Sequence, residues 1–520
     1  MPNRYDAVII GAGINGLVAA AMLSRAGKKV LVLEREDVAG GCMRTDEITD
    51  PGFHHDVMAA TFVLFLTSPA YGALAEDLAR HGLEFCHTPH PTAALRPDGS
   101  CAVLSTDRAA NIVAFEGFAK GDGTAHRDDV TGIESDAEFL FALLGGPLWS
   151  FATAKLMARQ LWKRGPRGLS AWIGRAMIPA RGWLETTYAS PQVQALYAPW
   201  VLHTGLTPEA TYSGQMGKVI AFALEAAGAP VVKGGAGQAA AAFVSLIEAK
   251  GGEVRTGCEV AHINTREGRA VGVTLADGSL ISAADVLASV APVQLYGSLL
   301  DTPPAQDAAE AQTYRHGRGN FQLHYALDGQ PDWIADGLDD VALIHLTDGI
   351  DAVSKSCNEA LRGMLPAVPT ICVGQPHRLD PTRCPEGKGI LWLQIPDAPS
   401  AIKGDAGGTI SGTDWDEATR EAFADRIEDI LRAHIRNFDA IKRARRAYSP
   451  MDLEAMNVNL VGGDPYGGQC SLDQFFVWRP LPGTPAGPNL RNLHHIGASA
   501  HPGPGLGGGS GFNAAKRLGA

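Results

Sequence analysis

The sequence predicts an α/β fold, and three glycine-bearing segments predict it. An apolar strand, a tight turn and a helix open the chain. A helix, a strand and a hairpin lie near its middle. A strand and a glycine-packed turn fill its last thirty residues. Parallel sheets are built from such units, because a parallel neighbour can be reached only by a crossover.

The first segment is the most informative. Tyr5-Asp6-Ala7-Val8-Ile9-Ile10 reads as a buried strand. Gly11, Gly13 and Gly16 come next, in G-x-G-x-x-G spacing. Leu17–Ala26 is an alanine-rich helix stopped by Gly27, and Lys29–Leu33 is a second strand closing on Glu34. Strand, turn, helix, strand and acid in this order form a Rossmann-like dinucleotide-binding unit. Gly11 makes the turn, Gly13 lets backbone approach a pyrophosphate, and Gly16 lets the helix pack close to the sheet. The helix N-terminus offers free N–H groups and positive dipole to phosphates. Glu34 would accept hydrogen bonds from a ribose, and Arg35 is counted with it as a cofactor contact.

The residues after Glu34 select the dinucleotide. Gly40 and Gly41 stand directly after the second strand, with Arg44 beyond them. Backbone without side chains there can meet a flavin, and Arg44 can reach its phosphates or ring edge. A nicotinamide dinucleotide has no evident use for this second glycine site. The expected cofactor is FAD, bound non-covalently.

Bulk properties bound the rest. A chain of 520 residues exceeds one ordinary core, so two or more domains are expected. The formal charge of −12 and the absence of a basic run argue against nucleic acid. No apolar run is long enough for a transmembrane helix. The first strand leaves no room for a signal peptide. A cytoplasmic protein, with peripheral membrane contact as an open alternative, is the expectation. The cysteines show no C-x-x-C spacing and no clustering with histidines along the chain, so free thiols and no metal site are expected.

The middle segment runs Lys233-Gly234-Gly235-Ala236-Gly237-Gln238, a helix to Lys250, Glu253–Val260, and a hairpin closed by Asp277-Gly278. Ile281–Val290 then returns toward the sheet. The last segment, Gly497–Ala515, has seven glycines in nineteen residues and comes after the strand-like Leu493-His494-His495-Ile496. A floppy tail is one reading of it. With the Gly11–Arg44 block, the Gly52–Asp56 block and Gly462-Gly463-Asp464, these segments carry a resemblance. The chain resembles the flavin-dependent phytoene-desaturase (carotenoid oxidoreductase) superfamily. Within it, the likeness is greatest to the phytoene-dehydrogenase-like branch, whose members are also described as pyridine-nucleotide-disulphide-oxidoreductase-domain proteins. Flavin amine oxidases are more distant kin.

The resemblance implies an FAD-binding domain of the glutathione-reductase and amine-oxidase type, assembled from residues 1–56, 231–295 and 471–520. An interleaved α+β substrate domain would come from 57–230 and 296–470. Val260 would back the adenine through its main chain. Ile496-Gly497-Ala498 would finish a strand beside the first strand. The turn carrying Gly508 and Gly509 would meet the flavin ring. A helix from about Phe512, with Asn513, would aim its N-terminus at the ring's N1–C2=O edge.

On the substrate side, Phe139–Trp149 is strongly apolar, and Leu156–Gly165 mixes Met157, Leu161 and Trp162 with basic residues. One reading is an amphipathic helix on a membrane surface; the simpler one is a domain helix packing its apolar face inward. Phe321–Leu327 alternates and should be a strand with one face toward the ligand. Tyr325, Trp478 and His54 are candidate pocket residues. His501, inside the turn expected at the flavin, and His55 are the candidate catalytic groups. The activity implied is an FAD-dependent desaturase or dehydrogenase that takes hydride from a largely apolar small molecule onto flavin N5, with oxygen or quinone as electron acceptor. An amine or amino-acid oxidase and a non-catalytic flavin-binding interaction protein are the alternatives. A homodimer is the generic expectation for assembly.

Overall fold

The computed structural model describes residues 4–483 and 487–520. The strand Tyr5–Ile10 is buried except at Asp6, as a strand covered on both faces must be. It lies between Val30–Leu33 and Leu280–Ser289, both parallel to it. Glu253–Arg255 extends the sheet past Val30–Leu33, again in parallel. The hairpin strands Val260–Arg266 and Arg269–Leu275 run antiparallel and join the sheet through the start of Leu280–Ser289.

The C-terminal strand, Leu493–Ile496, is part of this sheet, but its neighbour differs from the expected one. It pairs with Leu280–Ser289, from Val286↔Leu493 to Ser289↔Ile496. The reason is that Leu280–Ser289 already occupies the edge of the first strand, with Tyr5 opposite Ala283 and Ile10 opposite Ala288. The returning chain therefore adds one place further out. Its helix, Gly509–Arg517, also starts three residues before Phe512. The chain end is no floppy tail: Ala514 and Ala515 are fully buried.

The last helix is clamped to the first, Ile14–Arg25. A Cβ on Gly511 would stand 1.9 Å from the Asn15 carbonyl oxygen. Ser510 Oγ donates to Asn15 Oδ1 at 2.8 Å and accepts from the Gly497 N–H at 2.8 Å. The two glycine-rich ends of the chain are thus held together by one buried serine.

A second sheet contains Lys442–Tyr448, Gly319–Leu327, Gly389–Ala398, Ile371–Gly374, Leu343–Leu346, Thr92–Leu95 and Cys101–Leu104, in that order. All its pairs are antiparallel except Leu343–Leu346 with Thr92–Leu95. One face packs Phe321, Leu323 and Tyr325 with Phe423, Ile427 and Leu431 of the helix Glu417–His434. Since side chains alternate, the other face of the same strands carries Asn320, Gln322, His324, Trp392 and Gln394.

The long helices Asp122–Gly145 and Phe151–Ala176 project from this part. The second is broken at Gly165, φ 67, ahead of Pro166. It does not pack its apolar face inward as the simpler reading expects: only Gln160, Leu169 and Ala176 are buried along it, and Trp162 is 89% exposed. Among the described residues no helix is long and apolar enough to cross a membrane.

Candidate functional site

A large cavity of about 570 Å³ runs from the first sheet to the second. At one end its wall is the N-terminal turn. Gly11 has φ +91, and a Cβ there would press on Ser289 O at 3.0 Å. Gly16 lies behind the wall, where a Cβ would sit 2.1 Å from Gly11 O, so the helix touches the turn. Gly13 differs from both. It lines the cavity, and a Cβ on it would meet nothing within 4 Å. It also precedes a helix whose N-terminus has no side-chain cap. Uncapped N–H groups facing open space are what a pyrophosphate needs.

The second glycine site folds onto the first. Gly40 N donates to Ala12 O at 2.9 Å, and a Cβ on Gly41 would stand 3.2 Å from Gly13 Cα. Glu34 is buried beside them. Its Oε2 accepts from Ala12 N at 2.8 Å and its Oε1 from Glu36 N at 3.0 Å. The acid therefore braces the turn, while a carboxylate keeps lone pairs for a ribose hydroxyl. Arg35, Arg44 and Val260 line the same end; Arg35 reaches Glu259 at 3.7 Å, and Arg44 pairs with Asp46.

Gly497 and Ala498 line the cavity near Ser289. Buried Arg479 fixes that turn by donating from Nε (3.1 Å) and Nη2 (2.8 Å) to Ala498 O. Gly508, Gly509 and Asn513 stand away from the cavity wall. A Cβ on Gly508 would strike Val18, and one on Gly509 would strike Pro502, so these glycines serve helix packing. Asn513 Nδ2 donates to Gly145 O at 2.9 Å, and His501 Nε2 meets Gly146 O at 2.8 Å. Both side chains satisfy carbonyls at the end of the helix Asp122–Gly145, groups that a helix C-terminus always leaves over. Burial holds His501 neutral, with a pKa of about 4.

The other sequence-derived candidates are corrected in the same way. His55 is buried against His324 with Nε2 on Thr49 Oγ1, and burial lowers its pKa to about 2. His54 faces Glu47 at 3.7 Å near the surface. Tyr325 is on the core face of its strand, and Trp478 is 40% exposed. None of the four lines the cavity. The period-2 pattern located a strand at Phe321–Leu327, within the observed Gly319–Leu327, but not which face looks inward.

Residues with no signal in the sequence make the far end. Trp200, His203, Ile220, Asn320, Gln322, Trp392, Gln394 and Tyr466 line it. His203 Nε2 lies 2.9 Å from His345 Nε2, and desolvation lowers its pKa to about 4. The fold also brings Cys372 to these histidines, the three ligand atoms lying within 4.8 Å of one another. Cys372 is opposite His345 across two strands, a proximity that no spacing along the chain signals.

A dinucleotide cradle opening into a walled chamber defines a flavoprotein oxidoreductase. The comparisons agree. The family described as flavin containing amine oxidoreductase matches residues 14–391, and the chain belongs to it. It is 29% identical over 98% of its length to the mouse (Mus musculus) pyridine nucleotide-disulfide oxidoreductase domain-containing protein 2, covering 93% of that protein. It is 25% identical to the hydroxyneurosporene desaturase of Cereibacter sphaeroides, covering 96% of this chain and 94% of that one. A putrescine oxidase triple mutant, solved in a study of cofactor binding, shares the fold with a TM-score of 0.60 at 14% identity, over 99% and 98% of the chains. The protein is an FAD-dependent oxidoreductase.

Proposed function

We propose that this protein is a dehydrogenase or desaturase that oxidises a largely apolar small molecule. The observation that carries this reading is the composition of the chamber. Segments 58–64, 200–223, 320–394 and 453–467 supply its substrate side, and no Asp, Glu, Lys or Arg among them lines the wall. The charged lining residues, Glu34, Arg35, Glu36, Arg44 and Glu259, all stand at the cradle end. A desolvated chamber without countercharge disfavours a charged substrate. When bound, FAD supplies the hydride acceptor. The chain's own part is to hold the substrate's C–H bond toward it and to exclude water with Trp200, Ile220, Trp392 and Leu460. His203 is the imidazole present on this wall. The test is an absorbance spectrum of the purified protein, then anaerobic titration with apolar alcohols, enones, cyclic ketones and amines. Bleaching by the alcohols or ketones is the expected result. Bleaching by amines alone overturns the reading in favour of an amine oxidase.

We also propose that the helix Phe151–Ala176 rests on an anionic lipid surface. Trp149, Phe151 and Trp162 are 65%, 86% and 89% exposed. The helix carries six basic residues and no acid, against a chain charge of −12. Arg159 and Arg164 are paired with Glu138 and Asp136. Lys155, Lys163, Arg167 and Arg175 make no ion pair among the described residues. Each basic group near an anionic leaflet contributes about 1 kcal/mol. The protein should sediment with vesicles containing phosphatidylglycerol, and a Trp149→Ser, Phe151→Ser, Trp162→Ser triple variant should stay in the supernatant. Equal sedimentation of the two would sink the proposal.

A further inference from the structure

The chamber is apolar but not uniformly so, and its polar atoms are unevenly used. Asn320 and Gln322 are two residues apart on one strand, so both face inward, and they are 2% and 3% exposed. Both line the cavity. Asn320 Oδ1 and Gln322 Oε1 are each buried without a hydrogen-bond partner. The orientation of Gln322 is fixed by its other end, because Nε2 donates to Met58 O at 3.1 Å. Turning the amide over would set oxygen against oxygen. Trp392 Nε1 also donates to Met58 O, at 3.2 Å, which holds that carbonyl in place. Gln394 lies directly opposite Gln322 in the sheet register and lines the cavity too.

Buried polar groups are normally satisfied, and the exceptions need a reason. Here two unpaired acceptors belong to neighbouring residues on one face of a chamber that has no charged wall on the substrate side. Resting on the function proposed above, we infer that Asn320 and Gln322, with Gln394 beside them, form an anchoring site for an uncharged hydrogen-bond donor on an otherwise apolar substrate. A hydroxyl fits: it donates to one carboxamide oxygen and can accept from the Gln394 amide. A plain hydrocarbon leaves both oxygens unpaired. An ammonium group satisfies them but enters a chamber without a carboxylate to balance it. The site selects the substrate by its functional group, while the aromatic walls of Trp200 and Trp392 select its body.

Three probes of one shape separate these cases: cyclohexylmethanol, methylcyclohexane and cyclohexylmethylamine in its protonated form at neutral pH. Titration calorimetry and perturbation of the flavin spectrum in the holoenzyme both read binding without turnover. The alcohol should bind about tenfold or more tightly than either partner. Asn320→Leu with Gln322→Leu should abolish that preference while leaving methylcyclohexane binding intact or tighter. Asn320→Asp, which keeps the shape of the side chain and leaves the Gln322–Met58 hydrogen bond untouched, should move the preference toward the ammonium probe. Equal binding of alcohol and hydrocarbon, binding of none of the three, or an unchanged preference in the double leucine variant overturns the inference. A protein without flavin colour overturns the proposed function instead, and calorimetry still reads the alcohol preference.

Discussion

Replacing Gly13 by valine yields a folded protein that has lost its flavin. Gly13 has φ −71, a conformation open to any L-residue, and its Cβ position is empty space on the cavity wall. The backbone therefore accepts the side chain, which then fills the space a pyrophosphate must enter at the helix N-terminus. The expected loss of FAD affinity is about a hundredfold or more, near 2.7 kcal/mol or above. It is read from the ratio of flavin to protein absorbance after dialysis, beside the melting temperature of the apoprotein, which should stay within a few degrees of wild type. Gly16→Val is the contrasting case. Its Cβ would stand 2.1 Å from Gly11 O and 3.3 Å from Ile9 Cγ2. Nothing there can yield without separating the first helix from the sheet, so this variant should lose the fold itself. A Gly13→Val protein that stays yellow would remove the pyrophosphate from this turn.

The second large effect lies outside the cavity. Asp56 Oδ2 and Arg383 Nη2 stand 2.8 Å apart with both side chains fully buried. Asp56 Oδ1 accepts from Thr45 Oγ1 (2.8 Å) and from Ala236 N (2.7 Å), and Arg383 Nε donates to His54 O at 3.0 Å. One carboxylate therefore joins the strand after the glycine loops, the start of the helix Ala236–Ala249 and the connection between the strands Ile371–Gly374 and Gly389–Ala398 of the second sheet. The Asp56–Arg383 contact is ionic but poorly aligned, since both terminal nitrogens of Arg383 lack a hydrogen-bond partner. Asp56→Ala strands a buried cation and should cost about 3–5 kcal/mol in denaturant unfolding. Adding Arg383→Met should restore part of that loss, because the worst element of the single variant is the unpaired charge. Strictly additive losses would show that the pair does not act as a unit.

Gly13, Gly16 and Asp56 are residues that stand out in the sequence. Their neighbours on the substrate side were not legible. His501 and Asn513 sit in a glycine-rich turn that belongs beside the cofactor, and in sequence they look like site residues. In the fold they answer two carbonyls, Gly145 O and Gly146 O, over 350 residues away in the chain. Gly145-Gly146-Pro147 marks a helix end locally, but no local pattern says that this end comes to rest against His501 and Asn513. Tyr325 and Gln322 show the same limit on one strand. Alternation splits Gly319–Leu327 into an aromatic face and a polar face. Intuition assigns the aromatic one to an apolar ligand, yet the helix Glu417–His434 covers it and leaves Asn320 and Gln322 to the chamber.

The sequence by itself determined the cradle: its turn, its helix, its acid, its second glycine loop and the flavin class. Those features are built from contacts within some thirty-five residues, where glycine conformations and helix ends are set by the residues themselves. The tertiary structure alone decided the order in which the C-terminal strand joins the sheet, the Asn15–Ser510 clamp and the identity of the chamber wall. Each depends on which distant segment claims a surface first, and that is settled by packing across the whole chain.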